Sequence, residues 1–125
     1  MIDFENAKLF KLTRHNDETG AAKKIKPVLI DGEYIIEAYQ TVRDGVIFTN
    51  KRVIAINVQG VTGKKRDITT LPYRRIQAFS VETSGVIDLD SELQLYYSGL
   101  GKVTFEFSGG SKILEICKCI SEHIL

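Results

Sequence analysis

From Glu33 to Ser108, hydrophobic and polar side chains alternate in short runs separated by turn residues, the pattern of a sheet. Val103, Phe105 and Phe107 alternate with Lys102, Thr104, Glu106 and Ser108, so that strand has one apolar face, and Leu93, Leu95 and Tyr97 repeat the arrangement. Arg52 to Val58 is rich in β-branched residues and follows Val46 to Thr49 across Asn50 and Lys51, a spacing that predicts a tight hairpin. One strand earlier, Asp44 and Gly45 suit a turn requiring positive φ. Gly60 to Gly63 marks the next reversal. After Pro72, Ile76 and Ala78 fall on one face but Phe79 and Val81 on the other, and this change of phase predicts a bulge. Seven strands are expected, near residues 33 to 42, 45 to 49, 52 to 59, 65 to 71, 75 to 83, 92 to 98 and 102 to 108.

The period changes after Gly109 and Gly110. Ser111 is placed to cap a helix, and Ile113, Ile116, Cys117, Ile120 and Ile124 recur at three- and four-residue steps. Lys112, Glu115, Lys118 and Glu122 fall on the polar side, so the stripe Ile113, Ile116, Ile120 and Ile124 is expected to seal an open edge or end of the sheet. Residues 1 to 32 read as an N-terminal extension in which Ala21 to Lys26 can form a short helix. Pro27 can start another turn, which Asp31 and Gly32 end. The expected fold is mainly β with added α (β+α). It is a single domain over residues 33 to 125, built as a bent seven-stranded antiparallel sheet or partly open barrel capped by the C-terminal helix.

A chain of 125 residues with 43% hydrophobic and 26% charged positions has room for one packed core and is neither disordered nor fibrous. Its net charge of +1 is too small for a polycation acting as a whole on nucleic acid. Two cysteines make no disulfide framework. Asp3 and Glu5, with no apolar run after them, do not resemble a secretory leader, so a cytoplasmic location is expected. The charge is nonetheless unevenly placed. Residues 43 to 75 sum to +6 and residues 76 to 106 to −4. Solvated strand faces of different sign explain this most simply; a positive surface of one subunit meeting a negative surface of another is the sharper alternative.

Several short patterns invite a chemistry and fail on one residue type. GVTGKKR at 60 to 66 has Val58 where a phosphate loop needs glycine and Lys65 where it needs Ser or Thr. A hairpin turn with exposed cations is the better reading, although Lys64, Lys65 and Arg66, with Arg43, remain the candidates for a weak anion contact. Gly99, Gly101 and Lys102 lack the third glycine of a dinucleotide loop. Asp88, Asp90 and Glu92 alternate like calcium ligands, but Leu93 and Gly99 occupy the positions of the required Gly and Glu. Cys119 and His123 share a helix face without a third metal ligand, and Cys117 lies on the opposite side. Tyr96 and Tyr97 point opposite ways on one strand beside an acidic segment, so at most one of them faces a base-stacking platform, and core or interface packing is the better reading. With His15 and His123 as the only histidines, no catalytic triad or dyad is suggested. No cofactor, metal or enzymatic activity is expected.

The order of seven strands and one C-terminal helix resembles a pleckstrin-homology domain. The segments RDGVIFTNKR (43 to 52), QGVTGKK (59 to 65), LPYRRI (71 to 76), SVETSG (80 to 85) and DLDSEL (88 to 93) are similar in content and spacing to the bacterial pleckstrin-homology family, from about residue 20 onward. The resemblance implies a non-catalytic β-barrel-like domain, a ring-like homo-oligomer and a cellular role that is largely undefined. Phosphoinositide-binding relatives resemble one another in a long basic loop between their first two strands, which holds phosphate through charge-assisted hydrogen bonds. Here only Arg43, Asp44 and Gly45 make that connection, and the chain has no tryptophan. Specific phosphoinositide binding is therefore not expected.

Overall fold

The computed structural model describes residues 1–4, 9–15, 20–41, 44–60, 64–83, 90–108 and 112–125, with the backbone alone for 9–15. In chain order the elements are β1 (Leu9–His15), α1 (Gly20–Ile25) running into a 3-10 turn (Lys26–Val28), β2 (Ile35–Gln40), β3 (Asp44–Thr49), β4 (Arg52–Gln59) and β5 (Lys65–Pro72). A second 3-10 turn (Tyr73–Arg75) leads to β6 (Ile76–Thr83), β7 (Ser91–Tyr97), β8 (Gly101–Phe107) and α2 (Ile113–Ile124). The seven expected strands correspond to β2 through β8. The sheet order is β5-β4-β3-β2-β1-β8-β7-β6, two antiparallel meanders joined through β1. β1 pairs antiparallel with β2, Thr13 opposite Gln40, and parallel with β8, Leu9 opposite Phe105. The strand β1 has no counterpart among the expected elements, because LFKLTRH does not alternate and its partners are distant in sequence. Among the described residues β5 and β6 do not pair with each other, so the bent sheet is not closed into a barrel.

The main core lies where the inner faces of the two meanders meet. Tyr39, Phe48, Phe105 and Phe107 stack at its centre, with Tyr39 and Phe107 ring centroids 4.6 Å apart. Helix α2 lays Ile113, Ile116 and Ile120 into this core, and Ile124 is half-buried against it. The isoleucine stripe thus caps the core as its spacing predicts. A smaller cluster packs Ala21, Ala22 and Ile25 of α1 on Ala38, Ile47, Ile54 and Ile56, across the other face of β2 to β4. Burial on both faces explains why β3 and β4 read as continuous apolar runs rather than as alternation. The bulge expected after Pro72 is present as a register shift between Ile76 and Ala78. Ser111, expected as the helix cap, lies outside the described residues; Lys112 precedes the helix and makes no side-chain cap bond.

One turn assignment is corrected. Asp44 and Gly45 do not form a positive-φ turn; they open β3, where Gly45 pairs with Gln40 and Ile56. Glycine is needed there for close approach, since a Cβ at position 45 would collide with the Ala21 side chain of α1. Gly45→Ala is expected to cost about 1–3 kcal/mol through this overlap. Urea unfolding would measure it, and adding Ala21→Gly should recover part of the loss.

Candidate functional site

The described part of the basic hairpin stands at the start of β5. Lys64, Lys65 and Arg66 are exposed, with Lys65 opposite Gln59 and Arg66 opposite Val58. Arg43, the fourth candidate, lies outside the described residues. The next cross-strand row is acidic at both ends, because Asn57 pairs with Asp44 on one side and Asp67 on the other. Asp44 accepts a 2.6 Å hydrogen bond from Asn57 Nδ2. Asp67 takes the terminal ammonium of Met1 at 2.9 Å and the Thr69 hydroxyl at 2.8 Å, and these two hydrogen bonds hold its carboxyl below the usual range. Two carboxylates beside three cations weaken the hairpin as a phosphate site.

The remaining cations of the middle segment are divided by a bond that sequence spacing does not reveal. Arg52 donates from Nε to Glu33 Oε2 at 2.9 Å and from Nη2 to Glu33 Oε1 at 3.0 Å. Its other donors reach Val28 O and Thr70 Oγ1. The Glu33 side chain is 0% exposed and also accepts the Thr49 hydroxyl and the Ile30 N–H. Burial on its own would raise this carboxyl, but the Arg52 and Thr49 side chains, the Ile30 N–H and the guanidinium charge together hold it below 4.5. Arg52 is thus a structural clamp tying the segment before β2 to β4 and β5. Glu33 and Arg52 line a cleft of about 400 Å³ together with Lys51, Arg74, His123, Ile30 and Pro72.

The acidic segment forms a more ordered feature. Pairing places Glu82 of β6 opposite Glu92 of β7, and Glu92 opposite Glu106 of β8. Three glutamates therefore line up across three neighbouring strands, with Gln94 Nε2 donating to Glu92 Oε1 at 2.6 Å. Glu82 is exposed, whereas Glu92 and Glu106 are half-buried. Beside this row lies a cleft of about 330 Å³, lined also by Asp90, Ser91 and Phe107. Reading along the chain singled out Asp88, Asp90 and Glu92; Asp88 lies outside the described residues, and Glu92 belongs with Glu82 and Glu106 instead. Only the hairpin registers could have exposed that grouping.

Cys119 Sγ donates to Asn50 O at 3.9 Å, and the His123 ring meets Tyr73 edge-on with centroids 5.5 Å apart. His123 Nδ1 lies 2.7 Å from the Cys119 carbonyl oxygen, which places a proton on that nitrogen. Burial pushes both the Cys117 and Cys119 thiols up, away from thiolate character at neutral pH. Among the described residues no helix is long and apolar enough to cross a membrane.

The chain is similar to proteins of known sequence and structure. The family described as "Bacterial PH domain" matches residues 3–124. The uncharacterized protein YjqA of Bacillus subtilis (strain 168) is 41% identical over 101 residues, covering 79% of this chain and 81% of the relative. A crystal structure of a DUF1696 family protein with a pleckstrin-homology domain from Shewanella loihica PV-4 is similar with a TM-score of 0.72 at 39% identity, covering 92% of this chain and 98% of that one. A pleckstrin homology domain from Shewanella amazonensis SB2B is 42% identical with a TM-score of 0.57, over 83% of this chain and 85% of that one.

Proposed function

Because the chain belongs to the bacterial PH domain family, we propose that it is a non-enzymatic cytoplasmic module that assembles with copies of itself and gathers other proteins on the assembly. The observation that carries this reading is the division of charge between the two ends of the strand order. Exposed Lys64, Lys65 and Arg66 stand at the start of edge strand β5, and Glu82, Glu92 and Glu106 cross β6 to β8. A contact between unlike surfaces repeats from copy to copy and closes into a ring when its rotation permits. Exposed ion pairs contribute only about 0–1 kcal/mol each, so backbone or apolar contact must supply most of the affinity. Among the described residues β5 and β6 end the strand order, where sheet edges commonly pair with another chain, and β5 adds the exposed side chain of Ile68. Sedimentation velocity in low and in high salt tests this: one species larger than a single chain is expected, only partly loosened by salt. A species of 14.0 kDa in both conditions would reject it.

A second reading, supported by the exposure of Lys64, Lys65 and Arg66, is weak binding of anionic ligands or lipid headgroups at the hairpin. With Asp44 and Asp67 in the adjacent row, such binding is mainly Coulombic and fades as salt screens exposed charge over about 8 Å at physiological strength. In a liposome assay, binding to anionic vesicles is expected to be feeble and to vanish with added salt. Saturable, salt-resistant preference for one headgroup would overturn this Coulombic description and make headgroup binding the leading reading.

A further inference from the structure

The cleft at Glu33 and Arg52 carries more positive charge than its own carboxylate balances. Lys51, Arg52 and Arg74 line it against Glu33 as the one carboxylate among the described residues, so its fixed charges sum to +2. Arg52 spends its donors on Glu33, Val28 and Thr70, and both Glu33 oxygens are taken by Arg52, Thr49 and the Ile30 N–H. Neither the Lys51 ammonium nor the Arg74 guanidinium has an ion pair or hydrogen bond among the described residues. His123 is tied at Nδ1 to the Cys119 carbonyl, which leaves its Nε2 for a ligand.

The elements that carry these three groups are fixed around one buried side chain. Tyr73 is 0% exposed; its N–H donates to Lys51 O at 3.1 Å, its hydroxyl donates to Thr49 O at 2.6 Å, and the His123 ring lies edge-on against its ring. The β3–β4 turn, the 3-10 turn before β6 and the last turn of α2 are thereby held together at the cleft. Backbones set in place before a ligand arrives lower the entropy lost on binding.

Size and lining define what fits. At about 400 Å³ the cleft is of small-molecule size and larger than a bare phosphate ion requires. Ile30 and Pro72 give it an apolar wall, and Ile30 is 61% exposed. A guanidinium grips phosphate through two parallel hydrogen bonds, and an ammonium adds a point charge. Donors carried by three elements suit the three terminal oxygens of a phosphate monoester better than the two coplanar oxygens of a carboxylate.

We propose that this cleft binds a phosphate monoester, with Arg74, Lys51 and His123 on the phosphate and Ile30 with Pro72 against the apolar group esterified to it. The site lies at the opposite end of β4 from Lys64, Lys65 and Arg66, since Lys51 precedes that strand and Gln59, its last residue, pairs with Lys65. It is independent of the hairpin and of self-assembly.

Isothermal titration calorimetry with phenyl phosphate in physiological salt tests it. Saturable binding of one molecule per chain is expected, with inorganic phosphate and benzoate each about ten-fold weaker, because one lacks the apolar group and the other the third oxygen. Lys51→Gln and Arg74→Gln, both at exposed positions, should each weaken binding about ten-fold, whereas Lys65→Gln with Arg66→Gln should leave it unchanged. Should a cleft variant fail to fold by circular dichroism, nuclear magnetic resonance of the parent reads the same site: phenyl phosphate should shift the amide signals of Lys51, Arg74 and His123 and spare those of Lys65 and Arg66. Vesicles carrying phosphatidic acid separate the two sources of such an ester. Vesicle binding that Arg74→Gln abolishes assigns it to a lipid headgroup, and binding to phenyl phosphate alone assigns it to a soluble molecule. The site is overturned by absence of binding to both probes, by binding that the cleft variants leave intact, or by benzoate or inorganic phosphate binding as tightly as phenyl phosphate.

Discussion

Replacing Arg52 with Met is expected to lower stability by about 3–5 kcal/mol, the loss typical of leaving one member of a buried ion pair without the other. The Glu33 side chain is fully buried beneath Arg52, whose own side chain is 18% exposed; both residues line a cleft, so water entering in place of the guanidinium holds the cost toward the lower end of that range. The variant would leave Glu33 with the Thr49 hydroxyl and the Ile30 N–H as its hydrogen-bond donors. The double variant Glu33→Gln with Arg52→Met should be milder than Arg52→Met alone, because no charge stays buried. The effect also depends on pH. Glu33 is held below its ordinary value of 4.5 in the folded chain, so its contribution is present above the unfolded pKa and is lost as pH falls through the folded one. Urea unfolding should thus show a large Arg52→Met penalty at pH 7 that shrinks in acid below the folded pKa. An equal penalty at both would mean that the carboxylate does not matter.

The second large effect is expected in α2. Ile116 is completely buried in the main core, and Ile116→Asp would set an unpaired carboxylate against it, at a cost on the order of 4 kcal/mol. Leu114 is exposed on the same helix and supplies the comparison. Leu114→Asp should change stability by no more than about 0.5 kcal/mol. Thermal melting of the two variants against the parent would decide, and an Ile116→Asp protein that melts with the parent would refute the cap.

These two sites differ in how far they could be read from the chain. The cap is local: Ile113, Ile116 and Ile120 repeat at helical steps, and one amphipathic face has one place to go. Hairpin strands were legible for the same reason, since alternation and turn residues are properties of neighbours in sequence. The clamp is not local. Glu33 and Arg52 are 19 residues apart, and each looks like an ordinary surface charge until the segment after α1 folds back onto β4. β1 was hidden because its pairing with β2 and β8 is set by distant strands and its own sequence lacks a period. Gly45 was misread because a glycine beside an aspartate suits a turn and a close contact equally well; only the approach of Ala21 separates them. The glutamate row was within reach, as Glu92, Glu106 and Glu82 are all visible, but it required the registers of two hairpins rather than the spacing within one segment.

The central claim is that a domain with basic and acidic surfaces at the two ends of its strand order works as an assembly of copies. Its most direct test is the molar mass of the purified chain, measured by light scattering in low salt across micromolar concentrations. The account predicts one discrete mass that is a whole multiple of 14.0 kDa and independent of concentration over that range. A mass of 14.0 kDa throughout would contradict it.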